Sequence, residues 1–154
     1  DDTAHDRFNR EPAFVRFEAR QGKATFAIAT IHTSPKVAAQ EIGSLTEVFQ
    51  AMQRRYPDED DLVVVGDFNA GDASVSRSHL ALSPLRTQSY TWIVPDDADT
   101  TCAVKPQAHD RIVMTSSMAK HLYAGTWGAD QAAFTLQQDL SDHWPVWFTL
   151  TSNE

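Results

Sequence analysis

The chain has 154 residues and a mass of 17.2 kDa, which suits one domain with its own core and leaves no room for two of ordinary size. Apolar residues make up 42% and charged residues 22%, a globular balance, and no apolar run approaches the ~20 residues of a membrane span. The formal net charge of −8 argues against a nucleic-acid partner, whose binders usually carry a basic face, unless divalent cations stand between carboxylates and phosphates. One cysteine, Cys102, excludes an internal disulfide framework and a multi-cysteine zinc site. Asp1-Asp2-Thr3 has neither the basic nor the apolar region of a secretory leader.

Residues 1–11 are polar, acid-rich and without a period, so they read as a loop. The β-branched and aromatic content of 13–19 predicts a strand, 21–23 a turn, and 24–32 a second strand, together a hairpin. Ser34-Pro35 breaks it. Over 37–56, Ala38, Ile42, Leu45, Val48, Phe49, Met52 and Tyr56 recur at helical steps, and Pro57 ends the helix they predict. Leu62-Val63-Val64-Val65 is apolar without alternation, as in a strand covered on both faces.

Residues 70–85 read as a loop with a short helix around 76–80, and 90–94 as a short strand stopped by Pro95. A polar loop over 96–107 leads to a strand at 111–114 and another at 121–124; 125–140 is irregular. The chain closes on a strand over 144–151, with Val146, Phe148 and Leu150 on one face. The pattern predicts an α+β fold: one mixed, mostly antiparallel sheet with a helix on one face.

The residues able to do chemistry gather where strands end. His32 closes the second strand, Gly66-Asp67-Phe68-Asn69 follows the valine run, His109-Asp110-Arg111 precedes the Ile112 strand, and Ser141-Asp142-His143 precedes the last. Loops held by a rigid sheet are where active sites are commonly assembled. Imidazoles move protons near neutral pH, carboxylates hold hard divalent cations, and an aspartate can orient a histidine. Singly, each has a plainer reading. Asp67 can cap a turn with Asn69 left-handed, Asp110-Arg111 can be a surface ion pair worth under ~1 kcal/mol, and Asp142-His143 can be an ordinary turn.

Order and spacing carry more. Ile31-His32-Thr33-Ser34-Pro35, Val65-Gly66-Asp67-Phe68-Asn69-Ala70, Ala108-His109-Asp110-Arg111-Ile112-Val113 and Leu140-Ser141-Asp142-His143-Trp144-Pro145-Val146 follow one another. In this order they resemble the endonuclease/exonuclease/phosphatase superfamily. Phe8-Asn9-Arg10-Glu11-Pro12, Glu41-Ile42-Gly43-Ser44-Leu45 and Trp92-Ile93-Val94-Pro95-Asp96-Asp97-Ala98-Asp99-Thr100-Thr101 resemble its deoxyribonuclease I family in particular. The resemblance runs from about residue 6 to 151.

That resemblance implies a four-layer αββα sandwich, of which residues 1–154 would be the C-terminal half, with the N-terminal half absent. It implies metal-dependent hydrolysis of DNA phosphodiesters, with Mg²⁺ or Mn²⁺ as cofactor and Ca²⁺ as a structural ion. His143 resembles the general base, Asp110 its orienting carboxylate, and His32 the second catalytic histidine, whose family glutamate partner has no counterpart here. Asp67 and Asn69 resemble the pair at the scissile phosphate or its metal, and Asp142 a metal-side acid. Arg10 and Thr101 resemble phosphate contacts, and His109 stands where the family has a tyrosine in the DNA contact. Asp2, Asp6, Glu11 and the Phe8 carbonyl resemble one calcium site. Asp99 and Thr101 resemble a second, weakened because Ala103 and Lys105 replace hydroxyl residues. A family disulfide would join the positions of Asp72 and Gln107 and is absent.

The resemblance further implies DNA as partner, no membrane, and a secreted or periplasmic location. Two other readings stand beside it. One is a non-catalytic half-domain whose apolar sheet face pairs in a homodimer or with a complementing N-terminal-half chain. The other is a different phosphodiesterase or phosphatase of the superfamily, which shares the Asp-x-Asn and Ser-Asp-His elements.

Overall fold

A computed structural model describes residues 6–21, 23–71, 74–131 and 141–151. The elements are β1 (Ala13–Glu18), β2 (Thr25–His32), α1 (Ala38–Arg55), β3 (Leu62–Asp67), α2 (Arg77–Ala81), β4 (Tyr90–Trp92), β5 (Asp110–Thr115), α3 (Ser116–Ala119), β6 (Leu122–Ala129) and β7 (Val146–Leu150). Five strands form one sheet in the order β1-β2-β3-β5-β4, and β6 with β7 forms a second, two-stranded sheet. Only β2–β3 is parallel; the other named pairings are antiparallel. A parallel pair needs a long crossover, and α1 supplies it.

Alternation along the strands divides the core in two. Ala27, Ala29 and Ile31 of β2 and Leu62 and Val64 of β3 face α1, which buries Ala38, Ile42, Leu45, Val48, Phe49 and Met52 against them. The small side chains at Ala27 and Ala29 let the helix lie close to the sheet. On the other face, Val63, Ile112 and Met114 form a second cluster with Ile93, Val94 and Met118. Trp127 of β6 and Val146, Phe148 and Leu150 of β7 pack on it. The strand Leu62–Asp67 is thus covered on both faces, as its unbroken valines require.

The second sheet is an addition to the single one expected. β6 extends to Ala129 through a stretch that reads as irregular, because its glycine and alanines hide the alternation; cross-strand pairing with β7 fixes it. β6 and β7 also cover the apolar sheet face that the half-domain reading expects a partner to pair with. On the five-stranded sheet, the exposed large apolar residues lie on the edge strand β1: Val15 is 48% and Phe17 49% exposed, with Phe17 stacked on Phe26 at 5.5 Å. Helix α3 was not expected either; the Thr115 side chain caps it by accepting from Met118 N. The strand expected over 90–94 ends at Trp92, although Ile93 and Val94 remain buried.

Gly66 sits at φ +138°, and an added Cβ would collide with the Ile31 carbonyl oxygen on the parallel neighbour. Only glycine suits both demands. The Gly66→Ala protein is expected to lose more than about 2 kcal/mol in urea unfolding. A loss within about 0.5 kcal/mol, the range of neutral surface changes, would show that the backbone here relaxes freely.

Candidate active site

Strand register builds the first part of the site. His32 pairs with Asp67 across β2–β3, and Asp67 pairs with Asp110 across β3–β5. The three lie in one row, at the strand ends, on the face opposite α1. A slip of one residue in any of these strands would turn its member to the helix side. His32 Nε2 lies 3.3 Å from Asp67 Oδ2, with the histidine half exposed and the aspartate largely buried.

A loop brings the fourth member. His143 forms an isolated bridge with Thr101, while Trp144 N donates to Thr100 O at 2.9 Å and Cys102 N to Asp142 O at 2.8 Å. These bonds hang the 141–144 segment over the row. His143 Nδ1 donates to Asp110 Oδ2 at 2.7 Å, and its Nε2 lies 3.8 Å from Asp67 Oδ2. With Nδ1 carrying the proton, Nε2 of the neutral ring turns its lone pair toward Asp67. The hydrogen bond from His143 to Asp110 raises the pKa of His143; partial burial opposes this, and the charges of Asp110, Asp67 and Asp142 add to the rise.

Asp67 does cap a turn, and Asn69 is left-handed at φ +47°. Asn69 N donates to Asp67 Oδ1 at 2.7 Å, and Asn69 Nδ2 donates to Thr33 O at 2.9 Å. The turn thus occupies one oxygen of Asp67 and leaves Oδ2 to the imidazoles. His109 completes the group, its ring centroid 5.7 Å from that of His143. Asp67, His109 and His143 each present a ligand atom within 4.8 Å of the others.

Other expected residues lie apart. Asp142 is exposed and does not join that group, though its charge is felt at His143. Arg10 is exposed on the loop before β1. Phe8 is buried in the α1-side core, Asp6 and Glu11 are exposed, and Asp2 lies outside the described residues. Among the described residues, no cluster of three metal-competent side chains forms around Asp6 and Glu11. Asp99 Oδ1 accepts from Thr101 N and Gln107 N, each at 3.3 Å, and the buried Thr101 Oγ1 has no hydrogen-bond partner.

Several residues that position the site carry no obvious signal. Arg111 is not a surface partner of Asp110: it is 1% exposed and donates to Ala108 O, Val94 O, Ala70 O and Asp96 Oδ1. Its one hint is an arginine beginning an apolar strand. Thr100 Oγ1 accepts from Asp110 N at 3.0 Å. Glu41, 1% exposed in the first turn of α1, accepts from Asn9 N at 2.7 Å and Ser34 N at 2.6 Å. It thereby ties the Arg10 loop to the turn after His32. Gln107 packs so closely on Gly71 that any side chain there would meet Gln107 and His109. Asp72, its expected counterpart in the family disulfide, lies outside the described residues.

The topology and the strand-end row define the class: the structure has the fold of about half of an endonuclease/exonuclease/phosphatase domain. A Bacteroides vulgatus endonuclease/exonuclease/phosphatase superposes with a TM-score of 0.57 at 18% identity, over 92% of this chain and 55% of that one. The human Nocturnin catalytic domain gives 0.52 at 19% identity, over 90% and 53%. No protein-family model matches the chain.

In sequence the resemblance is to deoxyribonuclease I. The Ovis aries enzyme is 38% identical over 156 residues, covering 96% of this chain and 60% of its own length. The Homo sapiens one is 37% identical over 151 residues, covering 92% and 53%. The chain therefore spans little more than half the length of the curated relatives it matches.

A raised histidine pKa stabilises the fold fully below the unfolded value, about 6.5, and that contribution is lost as pH rises through the folded value. His143 is therefore expected to titrate above the ordinary imidazole range by NMR, and to fall toward it in Asp110→Asn. The stability gap between the two proteins is expected to be wider near about pH 5.5 than near about pH 9 in urea unfolding. A gap that grows with pH would contradict the pairing.

Proposed function

We propose that the chain carries one half of a metal-dependent endonuclease site that hydrolyses DNA phosphodiester bonds. The observation that carries this reading is the His143–Asp110 pair aimed at Asp67, beside His32. In-line attack on a phosphodiester needs an activated water, a neutralised phosphate and a protonated leaving oxygen. His143 Nε2 takes the proton of the attacking water, and Asp110 holds the ring and stabilises its protonated form. His32, from the other side of Asp67, gives a proton to the departing oxygen. Asn69 fixes Asp67, and Arg10 and Thr101 serve as phosphate contacts, with His109 in the DNA contact.

A divalent cation, Mg²⁺ or Mn²⁺, would neutralise the phosphate. The residues fit one: Asp67 Oδ2 faces the shared space, and Mg²⁺ is usually held by one or two carboxylates plus substrate phosphates. Asp142, beside His143 in sequence and exposed, would be the metal-side acid. The buried, unpartnered Thr101 Oγ1 beside Asp99 fits a structural Ca²⁺. A phosphatase or other phosphodiesterase activity remains open to the same geometry, and duplex DNA against phospholipid substrates distinguishes them.

Supercoiled plasmid nicking with Mg²⁺ and Ca²⁺ tests the reading. His143→Ala is expected to cut at least about 100-fold more slowly than the parent, the lower end of what a general base contributes. Equal rates would remove His143 from the chemistry.

The second reading is a half-domain that acts through a partner. Exposed Val15 and Phe17, on the same face as Phe26 and Ile28, favour it. The partner would be a second copy or a chain supplying the part of the relatives not matched here. Light scattering is expected to show self-association that weakens in Phe17→Glu; a strictly monomeric parent would leave only the complementing chain.

A further inference from the structure

We propose that Asp67, His109 and His143 form a binding site for a borderline-soft transition-metal ion of the Zn²⁺ type. Occupation holds the site inactive, a consequence that rests on the proposed role of His143. The binding itself rests on geometry alone.

The donor set is the first argument. Two imidazoles and one carboxylate suit Zn²⁺, which takes nitrogen and oxygen ligands at about 2.0–2.2 Å. Mg²⁺ prefers an all-oxygen shell and gains nothing from His109. The mutual spacing within 4.8 Å needs only small side-chain movement to close on an ion. The 3.8 Å between His143 Nε2 and Asp67 Oδ2 is already close to the separation of two ligands on a tetrahedral ion.

The surroundings are the second argument. Zinc-binding histidines commonly donate their other ring nitrogen to a carboxylate, which fixes the tautomer and raises ligand basicity. His143 does this to Asp110 at 2.7 Å. Asp67 is held in the same way through its other oxygen, by Asn69 N at 2.7 Å. His109 is set by its neighbour: Gly71 leaves the space its ring fills. Two of three ligands are thus oriented by hydrogen bonds and the third by packing. Three protein ligands also leave a coordination position for water or a phosphate oxygen.

The consequence is a competition for one lone pair. An ion on His143 Nε2 removes the electron pair that takes the proton of water. It would also occupy Asp67 Oδ2, the oxygen that would hold a hard divalent cation. His109 decides the contest, since without it only one imidazole and one carboxylate remain.

The test is titration of the metal-free 154-residue chain with Co²⁺, read by its visible absorbance, followed by displacement with Zn²⁺. The parent is expected to bind one Co²⁺ and to release it to Zn²⁺. His109→Tyr and the smaller His109→Asn are expected to bind at least as weakly as loss of an outer-shell partner would cause, about 10–100-fold. Circular dichroism identifies a variant that has not folded, and the other variant then decides. Equal Co²⁺ affinity in parent and folded variant, or no binding by the parent, overturns the inference.

The nicking assay with Mg²⁺ forms the second arm. Zn²⁺ is expected to suppress the parent more strongly, relative to its own rate, than either variant. If no protein nicks DNA, the inhibitory consequence falls together with activity of this chain alone, while the Co²⁺ titration still decides the metal site.

Discussion

A guanidinium withdrawn from water holds this site together. Arg111 reaches three backbone carbonyls and one carboxylate, spread over three approaches to the strand-end row. Ala70 O belongs to the turn that carries Asp67 and Asn69. Ala108 O precedes Asp110, and Val94 O and Asp96 belong to the segment that leads to Thr100. Burial pushes the Arg111 pKa down, and the charge and hydrogen bond of Asp96 oppose it. Removing one partner from such a buried set costs several kcal/mol, because the remaining charge keeps its desolvation penalty. Asp96 also receives Arg86, which lies over the Trp92 ring at 4.0 Å, so the anchor extends to the end of β4. The position opposite Arg111 in register is Gly66, the one residue that fits there beside Ile31.

Arg111 and Asp110 are neighbours in sequence with opposite tasks, and alternation explains how. Asp110 points to the open face with Asp67 and His32. Arg111 points to the helix side, where no water competes for its donors. One strand thus delivers a catalytic candidate and its anchor in consecutive residues. Glu41 does the same service from α1, satisfying backbone donors on the two loops that flank His32. Both are buried charges that bond chiefly to loop backbone, with Asp96 the one side chain among the Arg111 partners.

This division explains what was legible in the sequence. The helix was plain because its apolar residues repeat at helical steps, and β3 because its valines do not alternate. His32, Asp67, Asp110 and His143 stood out because each follows or precedes an apolar strand, and the strand register then sets the first three side by side. Arg111, Thr100 and Glu41 did not stand out. Their partners are chiefly backbone atoms that folding brings near, and nothing in residue type or spacing records a backbone partner. The β6–β7 pair was half seen for a related reason. Its alternation is diluted by glycine and alanine, and the strand conformation is selected by β6–β7 pairing and by packing on the cluster of Ile112 and Met114.

The acid-rich composition acquires a local meaning at His143. Asp110, Asp67 and Asp142 all push its pKa upward, which favours the imidazolium. In the proposed role a general base has to be neutral when it meets its proton donor, so these carboxylates make the ring more basic but lower the fraction of it that is unprotonated at a given pH. A cation beside Asp67 would oppose this rise in two ways: it would screen the Asp67 charge and add a positive charge near the ring. A hard ion held by carboxylate and phosphate oxygens does this and leaves Nε2 free. A softer ion that takes Nε2 as a ligand also keeps the ring unprotonated, but consumes the lone pair in doing so. In the proposed site, the three carboxylates that would favour a cation also make the choice of cation decisive, and His109 is the residue that would tilt it.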